Sequence, residues 1–292
     1  MQSFTLKSRS KFWPKCPLDW GVFTVTLVLM PTIYMHEMFT VRPTVWRNAP
    51  FFSNFVIYGG LFVFLNIVAN FVGLVVTDTR VPDKVMSTVK QSPHWKYCDL
   101  CISYVPPRAW HCKVCKVCIL KRDHHCLFAG CCVGHFNSRF FIMYLVYVCI
   151  GTLYCVISDS IFLINKVDLR FPSVVLKIGF PAFAYLSGVE TFTNECFILL
   201  FIINLAAFIF VCVLLRFHVR IILNGQVTYD VKSSSSNYDY GKMENVKEVL
   251  GCRWYVAWAF PLVSSPLPRS GLEWDTSEEW KLKRQRVTEK SK

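Results

Sequence analysis

Residues 98–132 read CDLCISYVPPRAWHCKVCKVCILKRDHHCLFAGCC and hold eight of the 14 cysteines in a 292-residue chain. Cys/His clustering of this kind, with the other cysteines scattered singly, indicates metal binding in a reducing compartment, not a secreted disulfide scaffold. A closed structural zinc site takes four tetrahedral Cys or His ligands. Cys98, Cys101, Cys112, Cys115, Cys118 and Cys132, with His111 and His125, make eight, the supply for two such sites. The segment is too short to build a core, so bound metal is expected to provide most of its folding energy.

Asp123, His124 and Cys126 are left over. A thiol reacts as thiolate, an imidazole is its usual partner, and a carboxylate that orients the ring completes a cysteine nucleophile. In extended backbone, residues i and i+2 share a face and i+1 points away. His124 and Cys126 then meet while His125 turns towards a metal, and Asp123 joins them only if the chain bends. Cys131 is also spare, but as the neighbour of ligand Cys132 it is expected to turn away from His124. The plainer alternative makes Cys126 a zinc ligand and His124 a solvated loop residue, and spacing alone leaves both open.

Outward from this segment the chain is apolar: 53% hydrophobic and 16% aromatic against 17% charged, which excludes disorder and two soluble domains. A bilayer core takes about 20 apolar helical residues. Four runs qualify, near 20–39, 51–76, 140–164 and 195–215. The stretch 178–189 is too short and carries Gly179 and Pro181, which suits an interfacial or re-entrant piece. With four spans and an interior N-terminus, 27 Lys and Arg lie on one side against 5 on the other, so both termini and the Cys-rich segment are expected in the cytosol. Lys7, Arg9, Lys11 and Lys15 then precede an uncleaved signal anchor.

The expected fold is an all-α integral membrane protein, its four transmembrane helices carrying a cytosolic Cys-rich two-zinc module between the second and third. The segments are 1–76 (N-terminus and two spans), 77–139 (the module), 140–215 (two spans) and 216–292 (a cytosolic tail). The net charge of +13 is assigned to orientation and anionic lipid, with no nucleic acid as partner. Ser233 to Ser236 is read as a linker, the aromatic run 254–260 as interfacial, and the Lys281, Lys283, Arg284, Arg286 cluster as lipid-attracted. His36, Glu37 and Asp159 are expected to reach headgroups, and Cys149, Cys155, Cys196 and Cys212 to pack within spans. Arg108 is expected either to contact phosphates or to be a solvated charge.

Asp123-His124-His125-Cys126 in this frame resembles the DHHC-type protein S-acyltransferases (palmitoyltransferases). The likeness continues in Cys132-Val133-Gly134, Asn137 and Phe141, and in the tail at 237–241 and 245–251, where Asn245 matches a buried Asn of the family. Residues 251–268 resemble one branch of it in particular. The resemblance implies one zinc on Cys98, Cys101, His111 and Cys118 and the other on Cys112, Cys115, His125 and Cys132. It implies that Cys126 attacks a long-chain acyl-CoA such as palmitoyl-CoA, with His124 as base and Asp123 polarising it. The acyl chain then lies between the spans and passes to a cysteine of a membrane-associated protein. Arg108, Phe128, Thr228 and Asn245 are the expected acyl-CoA contacts.

The resemblance is incomplete in three places. Leu127-Phe128 replaces the usual Pro-Trp, Cys131 the usual Asn, and Val227-Thr228-Tyr229-Asp230 the usual Thr-Thr-x-Glu. These departures support a rival, a weak or inactive relative whose zinc module recruits partners as a scaffold; the intact trio argues against it. A solute transporter is disfavoured, because few ionisable residues lie in the spans. The location expected is an endomembrane, endoplasmic reticulum or Golgi, ahead of the plasma membrane.

Overall fold

A computed structural model describes residues 14–292 apart from 83, 84, 90, 91, 93, 169, 234–236, 291 and 292. Lys7, Arg9, Lys11 and most of the Ser-rich linker lie outside the described residues. Among the described residues four helices are long and apolar enough to cross a membrane: Pro17–Val45, Pro50–Val76, Ser138–Lys166 and Phe192–Leu223. The chain is a multi-pass membrane protein, because in lipid a helix satisfies every backbone group within its own segment. At 27 to 32 residues and 1.5 Å rise, the helices are about 40–48 Å long. They outrun the apolar runs because their ends stay helical through polar residues, such as Arg216, His218 and Arg220 in the fourth. The first contains a π-helical turn, Glu37–Val41.

The chain divides into two compact units, and each span contributes one part to each. The unit built from Thr26–Ile67 and Leu145–Leu215 is packed around Val41, Phe162, Leu163, Val167 and Ile198. Here His36, Glu37 and Asp159 correct the sequence reading. They do not reach for headgroups: Glu37 and Asp159 are each only 2% exposed. Asn204 Nδ2 donates to Asp159 Oδ2 at 2.8 Å, His36 Nε2 lies 3.5 Å from Asp159 Oδ1, and Ser158 donates to Glu37 at 2.9 Å. A polar side chain in an apolar setting is costly unless partnered, and the first, third and fourth spans supply the partners. Cys149 and Cys212 pack with their sulfurs 3.6 Å apart. The stretch 178–189 takes in the end of one short helix, Ser173–Gly179, and the whole of another, Pro181–Leu186, flanked by a buried Lys177–Glu190 pair at 2.7 Å.

The other unit takes the chain through Val25, then Val68–Tyr144 and Arg216–Lys292. Its Cys-rich part folds as three antiparallel hairpins of three-residue strands: Lys96–Cys98 with Ser103–Val105, Trp110–Cys112 with Val117–Ile119, and His124–Cys126 with Cys131–Val133. So short a pair is not stable by itself. Leu120 N–H donates to Thr79 O at 2.9 Å and His135 N–H to Leu120 O at 2.8 Å, which ties the middle hairpin to its flanks. Asn137, 1% exposed, bonds Leu74 O at 3.1 Å, Cys132 O at 2.9 Å and Gly134 N–H at 2.8 Å. One amide thereby joins the second span, the third hairpin and the start of the third span.

Replacing Asp159 with Leu removes the partner of two buried groups, Asn204 and His36, and is expected to cost about 1–3 kcal/mol. Thermal unfolding in detergent measures this, and an unchanged midpoint would mean that the cluster does not hold these spans together.

Candidate active site and metal centres

The eight candidate ligands form two groups, each with its four ligand atoms within 4.8 Å of one another: Cys98, Cys101, His111, Cys118 and Cys112, Cys115, His125, Cys132. In the first, His111 Nδ1 lies 3.8, 3.3 and 3.8 Å from the sulfurs of Cys98, Cys101 and Cys118. In the second, His125 Nδ1 lies 3.8, 3.3 and 3.6 Å from those of Cys112, Cys115 and Cys132. Tetrahedral zinc, with bonds near 2.3 Å to sulfur and 2.0–2.1 Å to nitrogen, has ligand–ligand edges of roughly 3.5–3.8 Å. Both donor sets fit a metal ion of that size. The groups interleave along the chain, since Cys112 and Cys115 of the second lie between His111 and Cys118 of the first.

His125 Nε2 points away from the sulfurs to the Asp19 carboxylate, at 3.2 and 3.3 Å. Asp19 is fully buried and sits in the first turn of the first span. Such a carboxylate fixes the ring's tautomer and orientation and makes the other nitrogen a better ligand. Sequence spacing missed it, because 106 residues separate the pair.

The third hairpin sorts its side chains by face. His125 pairs with Cys132 in the register and both face the second metal group. His124 and Cys126 therefore share the opposite face. Asp123 precedes the strand, so the alternation does not bind it. The chain bends there and brings Asp123 Oδ2 to 2.7 Å from His124 Nδ1. Thr228 N–H donates to the other Asp123 oxygen, Oδ1, at 2.6 Å, and His218 Nδ1 lies 3.5 Å from Oδ2. Burial opposes ionisation of Asp123, but the His124 hydrogen bond and charge outweigh it and hold the carboxyl at about 2. Burial likewise opposes the imidazolium of His124, while Asp123 and Cys126 lift it to about 9.

His218 went unnoticed in the sequence, because it lies beyond the apolar run 195–215 and belongs to the fourth helix only through that helix's polar extension. It stands edge-on to Phe141, ring centres 4.8 Å apart, and Phe141 is likewise edge-on to His124 at 4.9 Å.

The expected acyl-CoA contacts fall into different places. Arg108 is not a solvated charge. It is 5% exposed, donates to Asp230 and to Gly225 O, both at 2.8 Å, and lies over the rings of Tyr238 and Trp274. Asn245 is also buried and engaged: its Nδ2 donates to Leu223 O at 2.9 Å and to Asp239 at 2.7 Å, and its Oδ1 accepts from Tyr240 N–H at 3.0 Å. Both are struts that fasten the tail, because a buried polar group in a folded core needs protein partners. Thr228 touches Asp123 through its backbone. Phe128 is 42% exposed, on the loop of the third hairpin. Cys131 does not turn away as expected: the register sets it opposite Cys126.

A family model described as DHHC palmitoyltransferase matches residues 91–235. Mouse "Probable palmitoyltransferase ZDHHC24" is 32% identical over 216 residues, 73% of this chain and 75% of its own length. The chain belongs to the DHHC palmitoyltransferase family. The zebrafish protein of the same name is 34% identical over 248 residues, 84% of this chain and 81% of the relative. Mouse "Palmitoyltransferase ZDHHC22" is 28% identical over 247 residues, 82% of this chain and 88% of the relative. The DHHC family carries out protein S-palmitoylation with acyl-CoA, so this chain is a palmitoyltransferase, and the branch read from its tail is among its relatives.

Asp19→Ala leaves His125 without its orienting carboxylate and is expected to weaken metal retention about 10–100-fold. Competition with a chelator measures this, and equal retention in the wild type and the variant would mean that Asp19 does not tune the second site.

Proposed function

We propose that the protein transfers a long-chain acyl group, palmitoyl, from acyl-CoA to cysteines of membrane-associated proteins through a thioester on Cys126. The observation that carries this reading is the Asp123–His124 hydrogen bond of 2.7 Å, with His124 on the same hairpin face as Cys126. Asp123 accepts the Nδ1–H of His124 and leaves Nε2 to take the thiol proton. The Cys126 sulfur attacks the acyl-CoA carbonyl, the C–S bond to CoA breaks, and His124 returns the proton to the departing CoA thiol. The same groups then serve the second transfer, in which the substrate cysteine attacks the Cys126 thioester and the Cys126 thiol is regenerated. The acyl chain lies among the spans, and Phe128 offers it an aromatic surface.

Cys98, Cys101, His111 and Cys118 hold one zinc, and Cys112, Cys115, His125 and Cys132 the other; the ions are structural and fix the hairpin that presents Cys126. The chain works as four segments, 1–76, 77–139, 140–215 and 216–292. The second and fourth of these, and both termini, face the cytosol, in an endomembrane. The charge asymmetry supports this orientation, and the cytosol is where acyl-CoA is supplied.

Purified protein mixed with labelled long-chain acyl-CoA should gain a hydroxylamine-labile label that Cys126→Ser abolishes while both zincs are retained. Normal labelling of that variant would overturn the mechanism in favour of a recruiting scaffold. Tags inserted at Thr88 and appended to the C-terminus should both be accessible from the cytosol in selectively permeabilised cells, whereas opposite accessibility would mean an odd number of crossings between them.

A further inference from the structure

The third hairpin carries two thiols on one face. Cys126 and Cys131 are directly opposed in its register. Opposed residues of an antiparallel pair lie about 4.5–5.5 Å apart between Cα atoms, with their side chains on the same face. Disulfides bridge Cα separations of about 4.4–6.8 Å. The adjacent pair behaves as this geometry requires: His125 and Cys132 converge to 3.6 Å. Cys131 belongs to neither metal group, and its sulfur makes a long contact of 3.7 Å with Leu74 O. It also lines a cavity of about 320 Å³ with Thr77, Arg80, Asn137 and the metal-group residues Cys115 and Cys132. An Asn at this position, usual in the family, has no redox chemistry.

We infer that Cys126 and Cys131 form a thiol pair that peroxide closes to a disulfide, arresting acyl transfer reversibly. The inference rests on Cys126 being the nucleophile. Cys126 thiolate attacks one peroxide oxygen and the O–O bond breaks, giving the Cys126 sulfenic acid and, after protonation, water. The Cys131 sulfur then attacks the Cys126 sulfur, the S–O bond breaks, and a second water leaves. Two thiols are oxidised to one disulfide, and one peroxide is reduced to two waters. Reduction by a dithiol restores both thiols. A resolving thiol of this kind also keeps a sulfenic acid from the irreversible sulfinic state, and transient disulfides are the form in which redox sensing occurs in a reducing compartment.

The test treats full-length protein in detergent with hydrogen peroxide, then follows acyl labelling before and after dithiothreitol, non-reducing peptide mapping and zinc content. Wild type should lose most of its labelling and regain it with dithiothreitol, and its peptides should show a Cys126–Cys131 link with both metals retained. Cys131→Ser, and Cys131→Asn as a second variant, should label normally when reduced and lose labelling irreversibly after peroxide. Identical responses of wild type and both variants would overturn the proposal, and so would a crosslink among the metal ligands with loss of zinc. Failure of the nucleophile reading shows separately, as normal labelling of reduced Cys126→Ser before any peroxide is added.

Discussion

The alternation of side chains along His124-His125-Cys126 is the constraint on which the site depends. One residue of the three goes to a metal group and its two neighbours are thereby sent to the other face. A hairpin of three-residue strands has too little surface to hold that arrangement alone. The four-atom groups around His111 and His125 supply the missing cross-links, and their interleaving makes the segment one knot in place of two independent loops. In the proposed chemistry this sets the position of Cys126 relative to His124 without a hydrophobic core beneath it.

The second constraint is electrostatic. Asp123 is a buried carboxylate, and the cost of burying it is offset by the His124 ring, the Thr228 N–H and nearby His218. Thr228 is 105 residues from Asp123, so the tail has to dock before the carboxylate is satisfied. Arg108–Asp230 and Asn245–Leu223 fasten that tail, and Gly225 is the turn that lets it return. At φ +64°, with Tyr238 O against the position a Cβ would occupy, only glycine fits there without strain. Metal groups on one side of the hairpin and the tail on the other thus fix the same few atoms.

The spans were legible because length and apolarity are local properties, and the metal ligands because their spacing is a sequence pattern. Convergence of distant residues was not legible. Asp19 looks like an ordinary acidic residue in the first turn of a helix, and only the fold reveals that it faces His125. Arg108 is read from sequence as either a phosphate contact or a solvated charge, because a basic residue beside Pro106 and Pro107 gives no sign of the Asp230 and ring partners 120 or more residues on. Asp159 was misplaced for the same reason, since its partners come from two other spans. Cys131 was misjudged on the assumption that a neighbour's metal bond sets a side chain's direction, whereas the hairpin register sets it.

In the proposed mechanism the metal groups hold Cys126 in its working position. The most direct measurement follows zinc content and acyl labelling together while a chelator strips the protein. The expected result is two zinc ions per chain at the start, labelling that falls as zinc leaves the group around His125, and recovery when zinc is returned. Full-rate labelling of metal-free protein would contradict it.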